Sequence, residues 1–177
     1  VPYCPRCGTA LSSHEVAQGY KDVKETSAIA KFFLKDGSGE CILAWTTTPW
    51  TLPSNVALCV NAHETYVRAR KEEQVYILAQ ALVQSVLGED AEILESFPGE
   101  KLVGMEYEPL FDMSAQFGKK QGYRVVADDY VTLGEGTGVV HIAPAFGEDD
   151  NRVGREWELP FLQLVNTSGH LCEGQKL

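Results

Sequence analysis

The 177 residues contain no apolar run long enough to cross a bilayer as a helix, and Val1-Pro2-Tyr3-Cys4 carries neither the basic nor the apolar segment of a secretory signal. The expectation is a protein without a membrane partner. No methionine opens the sequence, so a piece excised from a longer chain is expected. Positive charge is scarce: 15 Lys and Arg face 25 Asp and Glu, for a formal −10. Phosphate contacts need clustered cations, so tight unaided binding of nucleic acid is not expected. The small basic groups Lys21/Lys24, Arg68/Arg70/Lys71 and Lys119/Lys120/Arg124 read as solvated faces. Cysteine is sparse and odd in number, five in all, which speaks against a disulfide framework and for a reducing, cytoplasmic setting. Repeats and low-complexity tracts are absent. At 44% hydrophobic residues there is enough for the core of one domain.

Strand patterns dominate what is present. Ser27 to Leu34 and Cys41 to Trp45 read as two strands joined by the polar, glycine-rich Asp36-Gly37-Ser38-Gly39. Val56 to Val60, Thr65 to Arg70, Gln74 to Leu78, Ala91 to Ser96, Arg124 to Ala127 and Val139 to Ala143 continue the pattern. Together they predict an antiparallel or mixed sheet curled into a barrel. Gln80 to Leu87, stopped by Gly88, reads as a short helix with a glycine C-cap, and Glu148 to Glu158 as a helix with acidic residues in its first turn. The glycine- and proline-rich stretch from Phe97 to Gly122 reads as loop, in a position to cover a cleft.

Two segments carry chemistry. In Trp45-Thr46-Thr47-Thr48-Pro49-Trp50-Thr51-Leu52-Pro53, four hydroxyls sit between two indoles, and Pro49 and Pro53 remove ladder donors and fix a turn. The threonines thus stand at a strand end, where their hydroxyls are free for a polar ligand; an ordinary strand end rich in β-branched residues is the plainer reading. In Gly134 to Asp150, a glycine loop leads into a strand with one histidine, His141, then Pro144 and the carboxylates Glu148, Asp149 and Asp150. No lysine follows the glycines, and the order is loop to strand, so a nucleotide phosphate loop is not indicated. His141 is either a satisfied buried histidine or a pocket wall, and Asp150 either a helix cap or an anchor for a ligand ammonium group. Cys4-Pro5-Arg6-Cys7-Gly8 offers Cys4 and Cys7 as half of a tetrahedral zinc site, expected to stay empty without two further ligands. Cys41, Cys59 and Cys172 stand alone.

These three motifs, with the turn near Asn166-Thr167-Ser168-Gly169, make nearly the whole chain resemble the inserted editing domain of the isoleucyl-tRNA synthetases; the valyl and leucyl relatives usually carry arginine where Thr48 stands. The resemblance implies an α+β, β-barrel-centred editing domain of the class I aminoacyl-tRNA synthetases. Its single domain would span 1–177, with 1–20 as a linker holding half a zinc knuckle and 165–177 as the returning linker. The implied activity is hydrolysis of valine wrongly esterified to isoleucine tRNA, and of valyl-adenylate. The need is physical: a pocket shaped for isoleucine gains only about 1–3 kcal/mol against a substrate one methylene smaller, a limit for which this family is the reference case.

By resemblance, Asp150 binds the substrate ammonium group. Thr46, Thr47 and Thr48 bond the ester, the terminal adenosine or the attacking water, and Trp45, Trp50 and Thr51 shape the pocket. His141 borders the valine side chain. Editing itself is expected to need no cofactor; zinc, ATP and magnesium belong to the parent enzyme. The implied partners are the valine-bearing acceptor end of the tRNA and the parent's catalytic core, with the domain itself monomeric. A non-catalytic β-barrel module that binds an amino acid or a partner protein is the alternative, and an esterase with a threonine nucleophile a third reading.

Overall fold

The computed structural model describes residues 2–4, 6–19, 26–166 and 168–172. Lys21 and Lys24, Pro5 of the cysteine segment, Thr167 of the closing turn and 173–177 of the returning linker lie outside the described residues. Two compact units form: Val1–Thr26 with Gln163–Leu177, and Ser27–Leu162. Among the described residues, no helix is long and apolar enough to cross a membrane.

In the first unit, β1 (Tyr3–Cys4) pairs antiparallel with β2 (Thr9–Ala10). Gly8, at φ 65°, turns the chain and donates its N–H to the Cys4 carbonyl at 2.8 Å. Helix α1 (Ser13–Gln18) begins at Ser12, whose hydroxyl and backbone exchange bonds with Glu15 in a capping box, and it buries no residue. The Asn166 turn is closed by its own side chain: Oδ1 accepts from the N–H groups of Ser168 and His170, each at 3.0 Å.

The second unit is built on strands β3 (Ala28–Phe33), β4 (Cys41–Thr46), β5 (Ala57–Val60), β6 (Thr65–Lys71) and β7 (Gln74–Ala79). After β7 the expected helix is split into a 3₁₀ turn, Gln80–Leu82, and α2 (Val83–Leu87). No side chain caps the start of either piece, so nothing local extends one α-helix back to Gln80. Then follow β8 (Glu92–Pro98), β9 (Arg124–Ala127), β10 (Val140–Ile142) and α3 (Glu148–Glu156). The sheet is mixed, in the order β8-β6-β7-β4-β10-β5-β9, with β3 on β4. Among the described residues the two ends, β8 and β9, are not paired, so the expected barrel is realised as a curled half-barrel.

Strand β4 organises this sheet. Ile42 and Ala44 pack into one core with Phe32, Leu58, Tyr66 and Ile77, while Cys41 and Leu43 enter a second with Val67, Leu78, Val83 and Leu87. Burial on both faces explains the unbroken apolar run, each such side chain contributing about 1.5–3 kcal/mol. One edge of β4 pairs along its length with β3. The other edge is shared: Cys41 and Ile42 pair with β7, and Trp45 pairs with Val140 of β10. The sheet therefore forks at the end of β4. The 134–138 loop fills the fork, its Thr137 carbonyl accepting from Ala79 N–H at 2.9 Å and its Gly138 carbonyl from the Tyr66 hydroxyl at 2.6 Å. Gly136 is required here. It has φ 77°, and a Cβ would sit 2.8 Å from Cγ of Trp45.

The stretch read as a cleft cover packs differently. Phe97 belongs to β8, Leu102 and Tyr107 are fully buried, and Tyr107 N–H donates to the Tyr123 carbonyl at 3.0 Å. It extends the sheet irregularly past β9, and its apolar side chains complete the core under the half-barrel.

Candidate active site

Two elements converge on the fork. From β4, Thr46 leads into Pro49–Ser54, which forms a 3₁₀ helix with Pro49 in its first turn, rather than a simple turn. In a 3₁₀ helix side chains three apart eclipse, and Thr48 and Thr51 do so, with their Oγ1 atoms 3.3 Å apart. From β10, His141 is carried beside Leu58, its partner on β5. Its Nε2 lies 2.8 Å from Thr51 Oγ1. Thr46, Thr51 and His141 are all buried.

The bonds run on inward to two residues that sequence reasoning missed. Asn55 Nδ2 approaches His141 Nδ1 at 3.4 Å and donates to the Ala57 carbonyl at 2.8 Å, and the Tyr107 hydroxyl donates to Asn55 Oδ1 at 2.5 Å. Both are buried. Asn55 directly follows Pro53-Ser54 and reads as turn; Tyr107 sits in the stretch read as loop. No local pattern distinguishes either, although a carboxamide beside a histidine-bearing strand is a reasonable signal once the pairing of β5 and β10 is known.

This line of bonds has one consistent direction. The Ala57 carbonyl only accepts, which fixes the Asn55 amide nitrogen toward it and the amide oxygen toward Tyr107. Asn55 Nδ2 therefore faces His141 Nδ1 as a donor. The Thr51 hydroxyl donates to the Thr48 carbonyl at 2.8 Å, so its contact with His141 must be received from Nε2–H. Both ends assign the same tautomer, protonated on Nε2. Burial pushes the imidazole pKa down to about 4, so His141 is neutral near pH 7. It is a donor to Thr51, and its basic nitrogen is already occupied.

At the outer end the bonds are looser. Thr46 Oγ1 accepts Thr48 N–H at 3.0 Å, but the hydroxyl contacts between Thr46 and Thr48, and between Thr48 and Thr51, are 3.4 and 3.3 Å. These two hydroxyl protons are the ones free to turn toward a ligand. Thr47 points away and is exposed. Trp45 is half-buried against Gly136, and Trp50 is 62% exposed, meeting Phe146 edge-on at 5.9 Å. The two indoles therefore do not share one pocket wall in the way the sequence suggests: one props the fork and the other lies on the surface.

Asp150 caps nothing. Gly147 is the N-cap of α3 and makes no side-chain cap bond, while Asp150 Oδ2 turns back to accept Ala143 N–H at 2.9 Å. That amide lies two residues beyond His141 on the same chain, roughly 7 Å along an extended backbone. The helix is seated by Gly154, where a Cβ would come 2.9 Å from Pro144 Cγ. Burial, with a smaller push from the Asp149 charge, raises the Asp150 carboxyl above its ordinary value. Among the described residues no cation stands within 4.0 Å of it.

Of the cysteines, Cys41 and Cys59 are buried in strands, with thiols pushed up to about 11 and about 12 by burial. They pack and do not react. Cys4 is lowered, chiefly by its bond to Cys7. Among the described residues no group of three or more His, Cys, Asp or Glu, with Cys4 and Cys7 or elsewhere, is placed to hold a metal.

No protein-family model matches the chain. Individual proteins do. It is 57% identical over 173 residues to the isoleucine–tRNA ligase of Clostridium acetobutylicum, covering 98% of this chain and 16% of that protein. The chain belongs to the isoleucine–tRNA ligase family. The ligases of Clostridium tetani and Bacillus thuringiensis are 53% and 54% identical over 98% and 97% of the chain, which again spans 16% of each. It is thus one segment's worth of these isoleucine–tRNA ligases.

The fold is that of the leucyl-tRNA synthetase editing domains. The crystal structure of GlLeuRS-CP1 superposes with a TM-score of 0.62 at 15% identity, over 74% of this chain and 59% of that one. The P. knowlesi cytosolic leucyl-tRNA synthetase editing domain gives a TM-score of 0.60 at 16% identity, over 75% and 64%.

Proposed function

We propose that the chain is the editing hydrolase segment of an isoleucine–tRNA ligase, cleaving valine from wrongly charged isoleucine tRNA in the cytoplasm. The observation that carries this reading is the Asp150 carboxylate: half-buried, bonded to the Ala143 amide, and without a cationic partner among the described residues. An α-ammonium group supplies the missing charge. A neutral ligand would leave the carboxylate unpaired at a cost of several kcal/mol.

With the amine at Asp150, the ester carbonyl reaches toward the strand end. Thr46 and Thr48 there have hydroxyl protons free to orient water or to stabilise the oxyanion. Water adds to the carbonyl carbon, the bond to the ribose oxygen breaks, and that oxygen leaves with a proton, giving free valine and uncharged tRNA. His141, neutral and already donating to Thr51, walls the side-chain pocket. The ester is activated by its own ribose, so the pocket contributes mainly position and electrostatics. The valyl-bearing acceptor end and the parent catalytic core are the partners, and valyl-adenylate is a second substrate of the same chemistry.

The test is hydrolysis of valyl and isoleucyl esters of isoleucine tRNA by the chain and by Asp150→Ala. Valine-selective turnover that disappears in the variant is expected. Equal turnover by both proteins would remove Asp150 from the reading. The non-catalytic alternative draws on the exposed Trp50, set edge-on against the half-buried Phe146, a surface that suits a partner protein. Turnover of the valyl ester by the chain separates the two.

A further inference from the structure

Helix α3 carries the proposed amino anchor, and little of it is held by apolar packing. Of its nine residues, Val153 and Gly154 are buried. A helix this short is marginal by itself, so ties to its neighbours set where it lies. Asn151 Nδ2 donates to the Pro144 carbonyl at 3.0 Å, and just past the helix the Trp157 indole N–H donates to the Ala127 carbonyl at 3.2 Å. The start of α3 has no side-chain cap.

A charged tie is made by Arg152. Its Nη1 donates to Asp128 Oδ2 at 2.8 Å and its Nη2 to Asp128 Oδ1 at 2.9 Å, a forked pair. Asp128 is fixed in turn: its own N–H donates to the Val60 carbonyl at 3.0 Å, its Oδ1 also accepts the Tyr130 N–H at 3.0 Å, and its side chain is only 11% exposed. The forked bond lowers the Asp128 carboxyl and raises the Arg152 guanidinium, so both stay charged. The guanidinium lies 5.8 Å from the centre of the Tyr130 ring, whose hydroxyl is buried with no hydrogen-bond partner. Burial raises that phenol, and among the charges that oppose its ionisation Asp150 comes first. The ring therefore reaches from the ion pair toward the anchor.

Asp150 and Arg152 are two residues apart on α3, about 200° around the helix axis. They point to different sides: Asp150 to the Ala143 amide, Arg152 to the segment after β9. Rotation of the helix is the motion this arrangement opposes. A turn of about 10° moves an atom about 5 Å from the axis by about 0.9 Å, more than the roughly 0.5 Å within which a binding group must be held. An ion pair with a half-exposed partner contributes little to global stability. Its forked geometry on a fixed carboxylate makes it a stop for the helix instead.

We propose that the Arg152–Asp128 pair positions Asp150 for the ligand ammonium group by fixing the rotation of α3 against the strand end. The proposal rests on the reading of Asp150 as the amino anchor. Arg152 and Asp128 act through Asp150 without touching the ligand, so their loss weakens binding and leaves the chemical step as it was.

Hydrogen exchange in the 177-residue chain, followed by NMR, reads the position of Asp150, because its Oδ2 is the acceptor for the Ala143 N–H. The Val56 N–H, which donates to the Ile142 carbonyl at 3.0 Å, is the reference at the same strand end. In Arg152→Ala, protection of the Ala143 amide is expected to fall at least about tenfold while that of Val56 holds. Two esters read binding: valyl-adenosine, and isovaleryl-adenosine, which has the same side chain and no amine. KM for the valyl ester is expected to rise about 10- to 100-fold with kcat little changed, and KM for the amine-free ester to stay at the parent value. A general loss of structure would expose both amides and lower the turnover of both esters alike. Ala143 protection that is unchanged, or that falls together with that of Val56, overturns the proposal, as does an unchanged valyl KM. Where Arg152→Ala does not fold, Asp128→Asn, which keeps an oxygen for the Tyr130 N–H, decides by the same amides and esters. A parent that takes both esters with one KM sinks the reading of Asp150 instead, and the exchange rates still decide whether the pair positions it.

Discussion

Acidification should destabilise the fold through His141, by an amount that can be worked out. In the unfolded chain the imidazole titrates near 6.5; in the fold, burial lowers it to about 4. At pH 7 both states are neutral there and His141 contributes no pH dependence. Between these two values the unfolded state takes up a proton that the folded state refuses, so stability falls as pH falls. Integrating from pH 7 to pH 5 gives a loss of about 2 kcal/mol, and the full span about 3 kcal/mol. Asp150 acts in the opposite sense: its raised carboxyl binds a proton more readily in the fold, so its effect favours the folded state as pH falls. The comparison must therefore be made at one residue. His141→Gln keeps a side-chain amide able to donate to Thr51 but does not titrate. Urea unfolding of both proteins at pH 7, 6, 5 and 4.5 gives the difference in stability at each pH, with any cost of the substitution itself entering as a constant offset. That difference should shift by about 2 kcal/mol in favour of the glutamine variant between pH 7 and pH 5. A difference that stays flat across the range would refute a buried, neutral His141, and with it the assigned direction of the hydrogen bonds.

Three other outcomes follow from the same geometry. Removing the wall in His141→Ala should admit the extra methylene, raising hydrolysis of the isoleucyl ester roughly 10- to 200-fold while the valyl ester changes little; unchanged selectivity in steady-state kinetics would place the wall elsewhere. Tyr107→Phe deletes one hydroxyl and leaves Asn55 Oδ1 buried without its donor, so stability should fall by about 1–3 kcal/mol. In nitrogen NMR the His141 ring should keep its Nε2–H form, because the Ala57 carbonyl still orients Asn55 and the Thr51 hydroxyl still accepts from Nε2; loss of that form would mean that Tyr107 alone orients the amide. Gly136→Ala brings a methyl group into Trp45 at a left-handed φ, and thermal unfolding should show a loss of at least about 2 kcal/mol.

How much of this was legible in the sequence depends on the range of the interaction involved. Strands such as Arg124–Ala127 and Gln74–Ala79 are bounded by local turn chemistry and by side-chain alternation, and they emerge within a residue of their expected limits. The threonine cluster and His141 were legible as residues because a run of hydroxyls and a lone histidine in an apolar strand both stand out. What joins them was not. The fork at β4 exists only because β7 and β10 compete for one edge, a fact set by pairings between residues 35 and 95 positions apart. For the same reason Thr47 could not be told from Thr46 and Thr48, although strand alternation at a turn exposes one of the three.

Asn55 and Tyr107 were invisible for a different reason: each is a polar residue in an unremarkable setting, made important by the bond it completes. The Asp150 reading shows the converse. Its position at a helix start suggested a cap; the returning Ala143 amide and, among the described residues, the lack of a cation within 4.0 Å are what favour the proposed ammonium anchor. A neutral histidine that must not titrate and a carboxylate that lacks its counter-charge are both costly to bury. The Ala143 amide that holds Asp150 lies two residues beyond His141, so a cationic, apolar-sided ligand placed between the two side chains would offset the one cost and meet the other as a neutral surface.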